Sequence, residues 1–454
     1  MSIIVIGAGE IGYHVARRLT FEKKDVTIID KDADKINKIQ DSLDVQVVNA
    51  SGSSPEALEK ARINDADMII SVTDSDEVNM ISCLIASAQT KAVTKVARVR
   101  NLEYIYDPDI LKKGNLNIDL IINPDFEAVS SMINLFQVPG ATDVVDFNEG
   151  RVKLIGYTVQ NPVFHDGVRL MDLRQKSRID DMVIASIYRD GEVIIPKGKD
   201  KIYYNDSIYA ITTDKNIQDM MGFFGREYQD IKKAMIIGGN NIGLLLAKKF
   251  ENMKIATKLI ESDESKCVKI SEELEKTVVL HHSGEIEEIL SEEYIEDTDV
   301  FIAVTDDEED NILLSLLAKQ KGAKKAIALI HNMTYTQFVS SIGIDLVINP
   351  NLSAINRILH FIRKGKIVSV TSFYEKNAEA IEAVALETSD LVNKPLQKLK
   401  MPQHAIIGAI LRDDDLIVPR GDSVIRPGDH VIIFALSSAI ARVEKMLMVK
   451  IDYW

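Results

Sequence analysis

The strongest constraint on this 454-residue chain is that its two halves tell the same story. Ile4-Val5-Ile6-Gly7 returns as Met235-Ile236-Ile237-Gly238, an offset of 231, and Ile28-Ile29-Asp30 returns as Leu259-Ile260-Glu261 at that same offset. Ser71-Val72-Thr73-Asp74 is repeated as Ala303-Val304-Thr305-Asp306, and Asn79 as Asn311, now 232 apart. Ile122-Asn123-Pro124 recurs as Ile348-Asn349-Pro350. Late in each half, Ile187-Tyr188-Arg189 with Pro196-Lys197-Gly198 is echoed by Ile410-Leu411-Arg412 with Pro419-Arg420-Gly421. Matches in one order with a slowly drifting offset mark a duplication, so whatever fold the first half adopts the second must repeat.

Each half divides again. Short apolar runs at Ile3–Ile6, Val26–Ile29, Val45–Val48, Met68–Val72, Val96–Val99 and Leu120–Ile122 alternate with helical patterns, the signature of a parallel doubly wound sheet. The pattern changes around Pro139-Gly140. Short alternating segments such as Val183–Ile187 and Ser207–Ile211 follow, with turn signals at Asp190-Gly191 and Asn205-Asp206. The second half changes near Arg363-Lys364-Gly365, and its later segment carries the Arg426-Pro427-Gly428-Asp429 turn. The expected fold class is α/β: two tandem Rossmann-like doubly wound parallel sheets, each followed by a small β-rich α+β lobe. The expected bounds are 1–124, 144–228, 232–350 and 369–454.

Composition narrows the function. A net charge of −15, with no Lys/Arg cluster, argues against nucleic acid and against direct attachment to lipid. No stretch approaches the ~20 uncharged apolar residues that cross a bilayer. The N-terminus runs straight into a motif without a basic region ahead of an apolar one, so no signal peptide is expected and the chain should stay in the cytoplasm. Two cysteines, Cys83 and Cys267, are too few for a disulfide framework or a zinc site. The adjacent pair His281-His282 sits at a strand end, where neighbours point to opposite faces, so no metal site is expected.

Gly7-Ala8-Gly9-Glu10-Ile11-Gly12 is a G-x-G-x-x-G segment between a strand-like run and an amphipathic helix. That context lets Gly7 make the turn, Gly9 admit a pyrophosphate and Gly12 pack helix on strand. Asp30 ends the next strand, where a carboxylate accepts hydrogen bonds from a ribose diol; an acid there favours NAD(H) over a 2′-phosphorylated cofactor. Ser51 after the third strand, Thr73 and Asp74 after the fourth and Arg98 at the fifth should reach the same edge of the sheet. Arg98 could meet a phosphate or the acids of a neighbouring subunit. Thr73 and Asp74 also suit a helix N-cap, and a structural loop without ligand is the alternative for the whole motif. In the second half, Gly238 and Glu261 are retained, but Asn240 stands where the first half has Gly9. Neither small lobe carries an acid–base pair: His165 and His404 lie at unmatched positions. Turnover is therefore not expected, with an NAD-dependent oxidoreductase bearing an unusual substrate lobe as the alternative.

Longer patterns carry a family resemblance. Ser71–Met80, Val96–Asn101 and Asp146–Val152, with Asp299–Thr305, Leu317-Ala318-Lys319 and Ala378–Val384 from the second half, resemble the TrkA family. These are the peripheral subunits of Trk potassium-uptake systems, built from two regulator-of-potassium-conductance (RCK) units. The resemblance covers essentially the whole chain. It implies NAD(H) binding through Gly7 to Ile11, Asp30, Ser51, Thr73, Asp74 and Arg98, with ATP or ADP as further ligands. It also implies a homo-oligomeric ring, expected as a tetramer of chains, on the cytoplasmic face of a potassium-translocating membrane subunit. Asn240, and Asn351 where the first half has Asp125, set the second half apart.

Overall fold

The computed structural model describes the whole chain except residues 91–92, 107–115, 139, 149, 226–230, 283–285, 334, 336–338, 340–341, 363–366, 374–377, 414 and 448–454. Pro139, Glu149, Arg363-Lys364-Gly365 and the expected bounds at 228 and 454 lie outside the described residues.

The first half opens with β1 (Ser2–Ile6), α1 (Glu10–Phe21), β2 (Asp25–Asp30), α2 (Ala33–Ser42), β3 (Gln46–Asn49), α3 (Pro55–Lys60), β4 (Met68–Ser71), α4 (Asp76–Gln89), β5 (Thr94–Arg98), α5 (Leu102–Tyr106), β6 (Leu120–Ile122) and α6 (Pro124–Gln137). The strands form one parallel sheet in the order β3-β2-β1-β4-β5-β6. Ile3, Ile4, Val5 and Ile6 are fully buried, as a central strand covered on both faces requires. The strand order reverses direction between β1 and β4, and ligands of such sheets sit at that switch point. The second half repeats the sheet with strands Lys233–Ile237, Ala256–Glu261, Val278–His281, Val300–Ala303, Ala326–Leu329 and Leu346–Ile348 in the same topology.

Each parallel sheet is followed by a five-stranded antiparallel one. In the first lobe Met182–Arg189 pairs with Glu192–Ile194 through an Asp190-Gly191 turn whose φ values are 52° and 82°, as a two-residue hairpin requires. Arg189 grips Asp206 with two hydrogen bonds of 2.7 and 2.6 Å; Arg412 grips Asp429 at 3.0 and 2.8 Å. The repeated Ile-Tyr-Arg and Ile-Leu-Arg segments thus mark one structural clasp, used twice. The two lobes share a core: Phe147, Leu154, Tyr209 and Ile211 pack against Phe373, Ala380, Leu411 and Phe434.

The halves also exchange helices. Both α6 and its repeat Pro350–Ile362 begin with proline at the first helical position. An Asn cap precedes each, Asn123 accepting from Phe126 at 2.9 Å and Asn349 accepting from Leu352 at 3.0 Å. Instead of covering its own sheet, α6 buries Ala128, Val129, Met132 and Phe136 in the core of the second half. Pro350–Ile362 buries Ala354, Ile355, Ile358 and Leu359 against α1 and the first sheet. Truncating one of the larger of these side chains, Met132, Phe136, Ile355, Ile358 or Leu359, to alanine would cost about 2–5 kcal/mol, so the halves hold each other together. No helix among the described residues is long and apolar enough to cross a membrane.

Candidate functional site

The first cleft lies at the carboxyl ends of β1, β4 and β5. Gly7 has φ +104°, a left-handed region that suits glycine, and its N–H donates to the Ile29 carbonyl at 2.9 Å. A Cβ on Gly12 would lie 1.8 Å from the Gly7 oxygen, so this glycine lets α1 sit against the turn. Gly9 is different: a Cβ there would meet nothing within 4 Å. Gly9 is also the N-cap of α1, and no side chain caps the helix. Its first-turn N–H groups, with the positive end of the helix dipole, therefore face open space.

Asp30 is already poised beside that opening. Its Oδ2 accepts the Ala8 N–H at 2.6 Å and its Oδ1 accepts the Asp32 N–H at 2.8 Å, which fixes the carboxylate at the end of β2. Ser51 lies exposed after β3 and shares a 2.9 Å hydroxyl contact with Ser53. Glu10 is exposed in the first turn, while Ala8 and Ile11 are buried.

On the β4–β5 side, Arg98 is buried to 8% exposure. Its Nη1 donates to Asp74 at 2.9 Å and to the Thr73 carbonyl at 3.2 Å. Its buried Nε has no hydrogen-bond partner among the described residues. The N-cap of α4 is Ser75, whose hydroxyl accepts the Val78 N–H at 3.2 Å. That corrects the expectation of a cap at Thr73 or Asp74: Ser75 lies directly before the helix, whereas Thr73 is turned inward to Asn79.

Asn79 was legible only as a repeat match, yet it organises this edge. Its Oδ1 accepts from the Thr73 N–H at 2.9 Å and the Thr73 hydroxyl at 2.7 Å, and its Nδ2 donates to the carbonyls of Thr73 and Arg98 at 3.0 and 2.9 Å. Asn311 does the same for Thr305 and Leu329.

The second cleft keeps the frame and closes the opening. Gly238 has φ +112°, and Glu261 Oε2 accepts the Gly239 N–H at 2.7 Å, as Asp30 does with Ala8. Burial pushes the Glu261 carboxyl up, but the N–H groups of Asp263 and Gly239 outweigh it, so the group titrates below its ordinary range. A Cβ on Gly239 would lie 2.7 Å from Glu261 Oε2, which is why the longer acid is matched with glycine where Asp30 is matched with Ala8.

Asn240 caps the following helix with its own side chain. Its Oδ1 accepts from Ile242 and Gly243 at 3.1 and 3.2 Å, and its Nδ2 donates to the Val304 carbonyl at 2.5 Å. The groups left open at Gly9 are thus satisfied internally. A cleft of 390 Å³ remains here, lined in part by Arg100, Asp125, Lys266, Lys269, Asp306 and His331. Asp125 reaches it because α6 is exchanged, and Asn241 donates to its Oδ2 at 3.4 Å. Asp125 serves the second cleft, and Asn351 lies on the helix packed against the first half.

Cys83 is buried in α4, where desolvation pushes its thiol up to about 12, so it is no nucleophile. Among the described residues no group of His, Cys, Asp and Glu could hold a metal.

Comparison with known proteins agrees with this architecture. The TrkA-N domain family matches residues 3–124 and again 234–350, and the TrkA-C domain family matches 155–225 and again 380–448. The Trk system potassium uptake protein TrkA of Halomonas elongata is 36% identical, with 100% of both chains covered. That of Vibrio alginolyticus is 37% identical over 96% of each chain. Among solved structures, a GsuK channel bound to NAD superposes with a TM-score of 0.58 at 16% identity, covering 98% of this chain and 78% of that one. The low identity limits that likeness to the fold. The sequence relatives reach further: with both domain families matched twice in order and more than a third of residues identical from end to end, the chain belongs to the TrkA family of Trk-system potassium uptake proteins.

Proposed function

We propose that the first cleft is a regulatory dinucleotide site, and that NAD(H) bound there sets how this chain controls a Trk-type potassium transporter. Family membership makes the chain a regulatory, nucleotide-binding subunit of potassium transport; the proposal names the site, the ligand and the partner. The working units are residues 1–124 and 232–350 as Rossmann bodies, with 144–228 and 369–454 as small lobes.

One observation carries the reading. The N-terminus of α1 is uncapped and opens onto free space at Gly9, whereas its counterpart is filled by Asn240. Pyrophosphate would take the first-turn N–H groups offered by Gly9, Glu10, Ile11 and Gly12, and the ribose diol would donate to Asp30. Arg98, whose Nε has no partner among the described residues, would meet negative charge beside Thr73 and Asp74. That a GsuK channel with this fold is named as bound to NAD supports the choice of ligand. ATP or ADP would use the same phosphate contacts.

The chain would act as a homo-oligomer, a tetrameric ring docked on the cytoplasmic face of the potassium-translocating subunit. Ile81 and Leu84 on α4 stand exposed, as does Leu313 on Glu308–Gln320, which the repeat offset of 232 makes the equivalent of Ile81. Matched apolar side chains on the outer helices of both halves suit contacts between copies. A ligand needs only differential affinity for two ring states, and a coupling of roughly 1–3 kcal/mol changes the response about 5- to 150-fold.

The test is potassium flux through vesicles holding the membrane partner with and without this chain. Flux that responds to NADH only when the chain is present supports the reading. A flux indifferent to NADH, from a protein that light scattering shows to be a monomer, would overturn it.

A further inference from the structure

The helix that would hold the pyrophosphate ends against the opposite lobe. α1 runs from Glu10 to Phe21, and at a rise of about 1.5 Å per residue it is roughly 18 Å long. At its far end Arg18 is almost buried. Its Nη2 donates to Glu379, on strand Ala378–Val384 of the second lobe, and its Nη1 donates to the Ser437 hydroxyl at 3.2 Å. Its Nε donates to Glu22 on its own helix at 3.2 Å. Glu379 is fully buried and Ser437 opens the last described helix, Ser437–Leu447. One guanidinium therefore ties the first Rossmann body to both a strand and a helix of the second small lobe.

The repeat does not supply this tie on the other side. Helix Asn241–Asn252 aligns with α1 at the offset of 231 and puts Lys249 where the first half has Arg18. Strands Val152–Thr158 and Ala378–Val384 pair in matching register with Ser207–Thr213 and His430–Leu436. That register puts Lys153 at the position that Glu379 holds in the second lobe. Two lysines cannot form the ion pair, and Lys153 instead meets Asp146 and Asp214 in its own lobe.

We propose that Arg18 is the coupling residue of the first cleft, carrying the position of α1 to the second small lobe through Glu379 and Ser437, and that this route is one-sided. The inference rests on the first cleft being the nucleotide site. A ligand that fastens on the first-turn N–H groups fixes one end of a rigid helix, and a buried charge pair fixes the other. Any ligand-dependent shift of α1 then has to move Ser437–Leu447 and strand Ala378–Val384, or break a pair whose carboxylate is shielded from water. The half with the open anion site has the tie, and the half closed by Asn240 lacks it.

The experiment is hydrogen exchange on the full chain with NADH, with binding followed separately by calorimetry. In the unaltered protein NADH should slow exchange in 378–384 and 437–447 by about 5-fold or more. Replacing the pair by Arg18→Met with Glu379→Leu removes the buried carboxylate together with its guanidinium partner, so the fold should survive. Binding should persist in that variant while the slowing in the second lobe disappears. Arg18→Lys with Glu379 kept should retain part of the slowing, and Lys249→Met should change nothing. NADH binding without any effect on those segments in the unaltered protein overturns the coupling alone. So does an effect that survives the paired replacement. Failure of NADH to bind at all overturns the site and the coupling together.

Discussion

Asp30 Oδ2 sits 2.6 Å from the Ala8 nitrogen and accepts its N–H. The carboxylate that faces the cleft is thus held by the glycine loop itself, and its second oxygen is held by Asp32 at 2.8 Å. A ribose diol meets a preoriented acceptor with lone pairs to spare, whereas a 2′-phosphate meets a fixed negative charge. NADH should bind more tightly than NADPH. Asp30→Ala should weaken NADH about 10- to 100-fold, since hydrogen bonds to a charged group contribute about 1.5–3 kcal/mol each, and should narrow the gap between the cofactors. Calorimetry giving equal affinities for the two in the unaltered protein sinks the ribose role.

Asn240 makes the second prediction. Its side chain occupies the N–H groups of Ile242 and Gly243, whereas in the first half the N-cap Gly9 makes no side-chain cap bond. Asn240→Gly should cost only a few tenths of a kcal/mol in stability, because glycine is a tolerable N-cap, while uncovering an anion site. In an Asp30→Ala background, dinucleotide binding should become stronger when Asn240 is removed. A titration that does not change, with the fold intact, would show that Asp125 and Asp306 rather than Asn240 close this cleft.

pH offers a third check. Burial lowers the titration of His14, with Glu10 opposing and Arg17 assisting; burial likewise lowers that of His331 beside the second cleft. A histidine whose folded pKa lies below the ordinary 6.5 favours the neutral form in the native state. The unfolded chain then binds more protons near pH 6, so this stability is present above that range and lost as pH falls through it. The denaturant midpoint should drop between about pH 7.5 and 5.5, and His14→Gln should flatten the drop. An identical pH slope in the variant would remove His14 from the account.

Much of this was legible in the residues, for a physical reason. Strand alternation, the glycine spacing and the acid at the end of β2 are local in sequence, and local patterns repeat visibly when a chain is duplicated. Asn79 shows where legibility ends: its match with Asn311 was plain, but its bonds to Thr73 and to the Arg98 carbonyl depend on how two strands and a helix meet. The exchange of α6 and Pro350–Ile362 was hidden altogether, because an amphipathic helix looks the same whichever half it covers. Asp125 consequently reaches the cleft of the other half, which its place in the repeat does not reveal. Arg18 and Glu379, 361 residues apart, carry no pattern that pairs them before the halves are folded together.

The two glycines that flank the start of α1 should separate folding from binding. A methyl on Gly12 would stand 1.8 Å from the Gly7 oxygen, which belongs to backbone and cannot swing aside. Gly12→Ala must push α1 off the sheet, costing about 1–3 kcal/mol or more, and should lower the melting temperature whether or not ligand is present. Gly9 has φ −74° and ψ −173°, which alanine adopts freely, and its Cβ would enter open space. Gly9→Ala should therefore leave stability within about 0.5 kcal/mol. The same methyl would stand where the pyrophosphate has to approach the first-turn N–H groups, so NADH affinity should fall about 10-fold or more. Melting curves and calorimetry on the two variants decide it. A Gly9→Ala protein that binds NADH normally would mean the open space at Gly9 is not where the phosphates lie.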